Sequence, residues 1–314
     1  MHSVKPVLLC FGSEKSAVGR VIKNFKKVIE SNNIWRHSED VVFVFLCGAN
    51  KSGGGGVSAR REALLRFSKK NLPNTEFFLA ESIFDVLKAE GYARNFLDIE
   101  SDVFEFTDYV LIILESESAF CELGAFSVKK ETRGKIIVIN DVAHKESKSF
   151  INIGPIQAIA DSVGDEALLY YKMIPTGRDG GDGIGRIFSR LVRLLDKGKP
   201  SRRSRVLNLN PVTFQNKESL RLVHDLVFFA GPITSVELSF LVKLLFGRKS
   251  FNNLKMLLAI LKAINHISIN DELYYTSCCA RPYFMYDGID VFDVIAAFKN
   301  TYYRYDKARL GWVA

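Results

Sequence analysis

Long apolar runs are missing from this sequence. The most extended ones, such as Val41 to Cys47, fall far short of the roughly 20 residues needed to cross a bilayer. The apolar stretch near the start, Pro6 to Phe11, is too short for a secretory signal and has no small-residue cleavage site after it. A disulfide framework is missing too. The five cysteines (Cys10, Cys47, Cys121, Cys278, Cys279) follow neither an even framework nor a metal-ligand spacing, and the vicinal pair makes a poor bridge. The expectation is a reduced, cytoplasmic protein without a membrane anchor. The five histidines are scattered, which predicts no metal site. There is no Walker lysine pattern and no GxGxxG, so neither a P-loop nor a Rossmann dinucleotide fingerprint is supported.

What is present is 314 residues with ordinary apolar and charged fractions, enough for two domains. The net charge of +8 is unevenly placed: residues 1–185 carry 23 Lys and Arg against 25 Asp and Glu, and residues 186–314 carry 20 against 10. The second half is therefore the place for an acidic partner, or else a solvated basic surface.

Buried strands are predicted at Val41–Cys47, Phe77–Leu79, Val110–Leu114 and Lys135–Asn140, with amphipathic helices between them. The alternation predicts an α/β fold, an open parallel sheet with helices on both faces, over residues 1–175. A first helix, Glu14–Glu30, is expected to pack on that sheet. Residues 176–215 read as a Gly-rich and basic linker (TGRDGGDGIG, then KGKPSRRSR) with one helix inside it. The Asp179 and Asp182 spacing does not fit a calcium loop, and a hinge is the expectation. From 216 to 314 the order is helix, turn, helix, helix and β-ribbon. Thr234 and Glu237 form a capping box there, and an aromatic tail follows. That order is the order of a winged helix-turn-helix, which reads nucleic acid or docks proteins.

The candidate site lies at strand ends. Tyr109–Phe126 (YVLIILESESAFCELGAF) runs from a buried strand straight into Glu115, Ser116, Glu117, Ser118 and Glu122. Polar residues leaving a buried strand for a helix N-terminus are where open α/β sheets bind ligands. Glu122 is the expected catalytic carboxylate, because glycosyl transfer needs an acid group at an anomeric carbon, hydroxyls nearby for the sugar, and small residues that leave room. A surface glutamate stabilised by the helix dipole is the bland alternative. Ser116 and Ser118 are expected to orient a ribose, with Ser118 as helix N-cap, and Gly48, Ala49 and Asn50 to frame sugar and phosphate. Arg60 and Arg61 follow in the first turn of a helix capped by Ser58, and read equally as phosphate ligands or as a solvent-facing pair. Asp108, Glu115 and Glu100 are further candidates. FINIGP at 150–155 reads as an irregular turn. In the basic half, Arg202, Arg203, Arg205, Lys255 and Lys262 are the candidates for nucleic-acid or partner contact.

LCGAN (46–50), Glu100 and Asp108 ahead of a buried strand, and ESESAFCELGAFS (115–127) together resemble the nucleoside 2-deoxyribosyltransferase-like domain. With FINIGP and the carboxyl-terminal architecture, the whole chain is similar to the effector subunit of type II retron anti-phage systems. The resemblance implies that Glu122 is catalytic. It also implies that the activity is hydrolysis of an N-glycosidic bond in NAD⁺ or a related nucleotide, with no bound cofactor. The implied partners are a reverse transcriptase and its msDNA (single-stranded DNA with attached RNA), and phage infection releases the toxicity. A homo-oligomer or filament is the expected assembly. Glu117 and Ala119 stand where that family more usually has Pro and Ser, and the extra carboxylate bears on substrate choice. A non-catalytic nucleotide sensor that regulates DNA, and a filament-forming assembly protein, are the rival readings.

Overall fold

The computed structural model describes residues 4–37, 41–51, 55–89, 95–174, 182–197, 204–206, 209, 216–247 and 254–312. The chain divides into two compact units. One comprises Val41–Phe84 and Arg94–Lys199, the other Met1–Asp40, Asp85–Ala93 and Pro200–Ala314.

The first of these is built on a parallel sheet. Its elements run β1 (Val42–Cys47), α1 (Ala59–Asn71), β2 (Thr75–Phe78), α2 (Ala80–Ala89, of which the part from Asp85 on is counted with the other unit), α3 (Phe96–Phe106), β3 (Tyr109–Ile113), α4 (Glu117–Ser127), α5 (Lys130–Arg133), β4 (Ile136–Asp141), α6 (Gln157–Val163), β5 (Leu168–Tyr171) and α7 (Phe188–Lys197). The five strands lie in the order β2-β1-β3-β4-β5, all parallel. β1, β3 and β4 are almost wholly apolar because both faces are covered. Val42, Val44, Leu46, Leu111, Ile113, Ile137 and Ile139 pack with Leu64 of α1 and Leu191 and Leu195 of α7. On the opposite face Phe45 meets Phe126 of α4, and Phe126 meets Phe104 of α3, at ring separations of 6.1 and 5.2 Å. The period-two alternation of a strand thus distributes its side chains between two helical layers.

The strand order reverses direction between β1 and β3, which is the switch point of an open α/β sheet. Cys47 pairs with Ile112, so the loops leaving both strands emerge side by side.

FINIGP is not an irregular turn. Asn152–Ile156 winds as a π-helix that runs directly into α6, with Pro155 inside it. The Asn152 amide side chain donates to the carbonyls of His144 (2.6 Å) and Ser147 (2.7 Å) and so ties the preceding loop to the helix start. β5 has no counterpart among the expected strands. It is only four residues long, LLYY, and its burial is supplied by distant partners.

In the other unit, helix Ala17–Glu30 packs on helices Ser235–Phe246 and Val291–Tyr305, so it belongs with the carboxyl-terminal segment. Its buried Val18, Ile22, Phe25 and Ile29 form one apolar stripe, facing a different layer from the one expected. Strand Ile34–Arg36 lies between Phe284–Tyr286 and Ser204–Arg205 in a small antiparallel sheet. Helices Lys217–Ala230, Ser235–Phe246 and Leu254–Ala263 follow, with strand Ile233–Thr234 before the second helix. That strand joins Tyr274–Ser277 and Ile267–Ile269 in a three-stranded antiparallel sheet. The Thr234 and Glu237 capping box forms as expected. Among the described residues no helix is long and apolar enough to cross a membrane.

Candidate functional site

At the carboxyl end of β1 the chain turns at Gly48. A Cβ there would stand 3.0 Å from Arg61 Cδ and 3.0 Å from Glu115 Oε1, so the close approach requires glycine. Glu115, just past the end of β3, is almost fully enclosed. Its Oε1 accepts from the Ala49 amide (3.1 Å) and Ser58 Oγ (2.6 Å), and its Oε2 from Arg60 Nη1 (3.0 Å). Arg60 also forks onto Asp182 (Nε to Oδ2 3.0 Å, Nη2 to Oδ1 2.8 Å) and donates to the Ile174 carbonyl (2.6 Å). Tyr171 Oη and the Ile174 amide donate to the same Asp182. Burial raises the Asp182 carboxyl, but Arg60, Tyr171 and the Ile174 amide together hold it below the usual carboxylate range. Glu115, Arg60 and Asp182 therefore form a charge network with its valences filled, which fastens the β1 and β3 loops to the end of β5.

Arg61, only 2 % exposed, points the other way. Its Nη1 donates to Asn50 Oδ1 (2.8 Å), its Nη2 donates to the Leu46 carbonyl (3.1 Å), and it pairs with Glu81 at the start of α2 (2.8 Å). Neither arginine is a solvent-facing residue.

Glu122 lies on α4, whose N-cap is Ser116; the helix begins at Glu117, earlier than expected, and Ser116 Oγ accepts from the Ala119 amide. Glu122 Oε2 is buried and has no hydrogen-bond partner. Burial pushes the Glu122 carboxyl up and Glu81 adds to this, while the neighbouring Cys47 thiol and the charge of Arg61 oppose it. Cys47 in turn is driven well above the usual thiol range, by burial first and then by Glu122 and Glu100. Glu100, on α3 and 6 % exposed, is raised to about 7 by burial, then by Glu122 and Glu81. Three carboxyl groups, Glu122, Glu100 and Glu81, thus share one corner of the site with the Arg61 guanidinium. This environment keeps a proton on one acid near neutrality.

The structure brings Glu122, Glu100, Arg61, Arg60, Glu115, Gly48, Ala49 and Asn50 to the same end of the sheet. Ser116 and Ser118 are at its rim, half-buried and exposed, with their hydroxyls 3.0 Å apart. Asp108 is elsewhere. It precedes β3, about 20 Å of extended strand from Leu114, and accepts from the Phe43 amide (2.8 Å) at the amino end of the sheet. Arg205 is occupied with the Ser31 and Asn32 carbonyls and Asn33 Oδ1. Lys255 is exposed and Lys262 half-buried on helix Leu254–Ala263, and Arg202 and Arg203 lie outside the described residues. Sequence reasoning missed Glu81, Cys47 and Ser58 as neighbours of the site, and read Asp182 as part of a hinge. The position of Glu81 in the first turn after β2 was the one available signal for it. Among the described residues no group of three or more His, Cys, Asp or Glu side chains is placed to hold a metal ion. A cavity of about 470 Å³ opens elsewhere in this unit, lined by Lys145, Asn152, Gln157, Tyr170 and Arg190 among others.

The family model described as STM3845 retron effector protein matches residues 57–269. The chain belongs to the retron effector family. It is 40% identical over 291 residues to an Escherichia coli protein whose name proposes it as the ribosyltransferase/DNA-binding protein of retron Ec73, covering 90% of this chain and 91% of that one. It is 30% identical over 131 residues to the protein of the same proposed description from retron Ec86 of Escherichia coli, covering 42% and 41% of the two chains.

Proposed function

We propose that this retron effector is the toxic component of an anti-phage system and hydrolyses the N-glycosidic bond of NAD⁺ or a related nucleotide through Glu122. The observation that carries the reading is the buried, unpaired Glu122 Oε2 at the switch point, beside Arg61 and a second carboxyl. As a base leaves C1′ of a ribose, positive charge develops on the sugar. An ionised Glu122 stabilises that charge or closes on the carbon as a glycosyl ester, and water then releases the sugar. Arg61 and Cys47 favour the ionised form needed for this step. Ser116 and Ser118 face the ribose hydroxyls, and the Gly48–Asn50 loop borders the sugar and phosphate. Arg60 and Glu115 hold that loop in place.

The proposed ribosyltransferase description of the relatives supports a glycosyl-transfer chemistry. We assign the parallel-sheet unit, Val41–Phe84 and Arg94–Lys199, to a nucleoside deoxyribosyltransferase-like catalytic part, and residues 216–314 to a winged helix, a reading supported by the helix, strand, helix, helix, two-strand order from Lys217 to Ser277. The regulators in this reading are the cognate reverse transcriptase and msDNA, met in the cytoplasm by the basic second half, with a homo-oligomer or filament as the assembled form. Purified chain, with and without those partners, is to be incubated with NAD⁺ and nicotinamide release measured. Glu122→Gln should abolish both release and cellular toxicity at unchanged expression; a fully toxic Glu122→Gln would refute the assignment.

The words "DNA-binding" in the relatives' names favour one rival, a nucleotide-sensing DNA regulator without catalysis. It predicts nucleotide affinity without turnover, and sequence-specific duplex binding.

A further inference from the structure

The cavity of about 470 Å³ in the parallel-sheet unit takes no part in the proposed chemistry, and its size falls within the range of small-molecule pockets. One wall is β5, the edge strand of the sheet. Leu169 and Tyr171 turn into the core beside α7, so the alternation of the strand leaves Leu168 and Tyr170 on the face that lines the cavity. Ile153 and Ile156 line it from the π-helix, and Gln157 from the start of α6. Ile153 is left 68 % exposed. The loop from Lys145 to Lys148 supplies a further wall, and its path is fixed by the two carbonyl contacts of Asn152. Single π-helical turns are rare and gather at functional positions. The FINIGP motif, which the catalytic corner does not use, thus shapes this cavity.

Three cations line the same space, Lys145, Lys148 and Arg190, together with two carboxylates, Glu146 and Asp165. Lys145 Nζ stands over the Tyr170 ring, 5.7 Å from its centre. Arg190 Nη2 donates to the Leu168 carbonyl at a long 3.4 Å, and among the described residues neither Arg190 nor Lys148 is in a contact ion pair. Gln157 donates through Nε2 to Asp161 (2.7 Å), which leaves its Oε1 to accept. Burial, then the charges of Asp165 and Glu146, push the Tyr170 phenol up, so it keeps its proton and remains a donor. We propose that this cavity is a second ligand site, taking a nucleoside monophosphate whose base carries an amino group. A bare anion would leave the isoleucines uncovered and meet two carboxylates. A purely apolar ligand would desolvate the cations without giving them a partner. A nucleotide answers both. Its phosphate pairs with Lys148 and Arg190, its flat base covers Ile153 and Ile156, and its ribose hydroxyls and amino group donate to Glu146, Asp165 and Gln157 Oε1.

The test is calorimetric titration of adenosine 5′-monophosphate into the full chain, and into Glu122→Gln so that no turnover consumes the nucleotide, with amide exchange to locate it. The expected result is saturable binding with a Kd below about 1 mM, and slowed exchange over residues 142–157 rather than over the Gly48–Asn50 loop. Lys148→Gln and Arg190→Gln change exposed side chains, and each should weaken binding about tenfold. Adenosine, without the phosphate, should bind at least about tenfold more weakly, and uridine 5′-monophosphate, without the amino group, about threefold more weakly. No saturation, protection confined to the Gly48–Asn50 loop, or unchanged affinity in both variants would each overturn the proposal. Inorganic phosphate binding as tightly as the nucleotide would overturn the nucleoside part, and equal affinity for the uridine nucleotide would overturn the amino-group part. Binding of a single-stranded oligonucleotide without binding of the mononucleotide would mark a nucleic-acid surface instead and overturn it too.

Discussion

Glu100 offers the sharpest physical test of the site. It is 6 % exposed and raised to about 7 from an ordinary 4.5. That gap amounts to roughly 3 kcal/mol at about 1.4 kcal/mol for each pH unit. Below pH 4.5 the carboxyl is protonated in folded and unfolded chains alike, and burial carries no ionic cost. Between 4.5 and about 7 the unfolded chain ionises while the folded one does not, so stability declines as pH rises; above about 7 the full loss has been incurred. Glu100→Gln cannot ionise. It should therefore match the wild type near pH 4.5 and exceed it by up to roughly 3 kcal/mol at pH 8.5, and differencing the two proteins cancels the titrations that are not coupled to Glu100. The assay is urea unfolding followed by far-UV circular dichroism, with amide exchange of β1 and β3 as the local report. Tryptophan fluorescence would be blind here, because Trp35 and Trp312 both belong to the other unit. A stability difference that does not change between the two pH values would refute the reasoning.

The same carboxyl separates substrates. Nicotinamide leaves NAD⁺ as a neutral molecule without needing a proton, whereas a purine leaving a nucleotide needs one. Glu100→Gln should thus preserve nicotinamide release and slow purine release about 100-fold or more, read by chromatography of the freed base. Glu115→Gln should lower stability by about 1–3 kcal/mol through its lost pairing with Arg60, seen as a lower urea midpoint; loss of turnover with an unchanged midpoint would make it catalytic instead. Asp182→Asn should cost more, since Arg60, Tyr171 and the Ile174 amide all converge on it. Its depressed carboxyl contributes stability above the unfolded value of about 4, lost as pH falls through the folded one, so the gap between variant and wild type should close in acid unfolding. Arg309→Met, in the other unit, strands the fully buried Glu237 and should cost about 3–5 kcal/mol by urea unfolding.

Local chemistry alone determined a good part of this protein. The unbroken apolar run Val41–Cys47, short and rich in Val and Phe, reads as a strand buried on both faces, and Tyr109–Phe126 puts Glu122 on the helix that leaves the strand beside it. The Thr234 capping box is complete within four residues, so it too was legible. Tertiary structure decided whatever depends on partners far away in the chain. Asp182 sits in a Gly-rich stretch that reads as a hinge, and becomes a buried clamp only because Arg60 and Tyr171 arrive from α1 and β5. Arg60 and Arg61 are adjacent and chemically alike, yet one secures Glu115 and the other faces Glu81 and Glu122, because successive helix positions are turned about 100° apart. Strand Ile34–Arg36 finds Phe284–Tyr286 across most of the chain, and so draws the preceding helix, Ala17–Glu30, away from the layer its amphipathic pattern alone suggested. An apolar stripe encodes that a face must be buried but not against what, and a carboxylate's pKa belongs to its neighbours rather than to its place in the sequence.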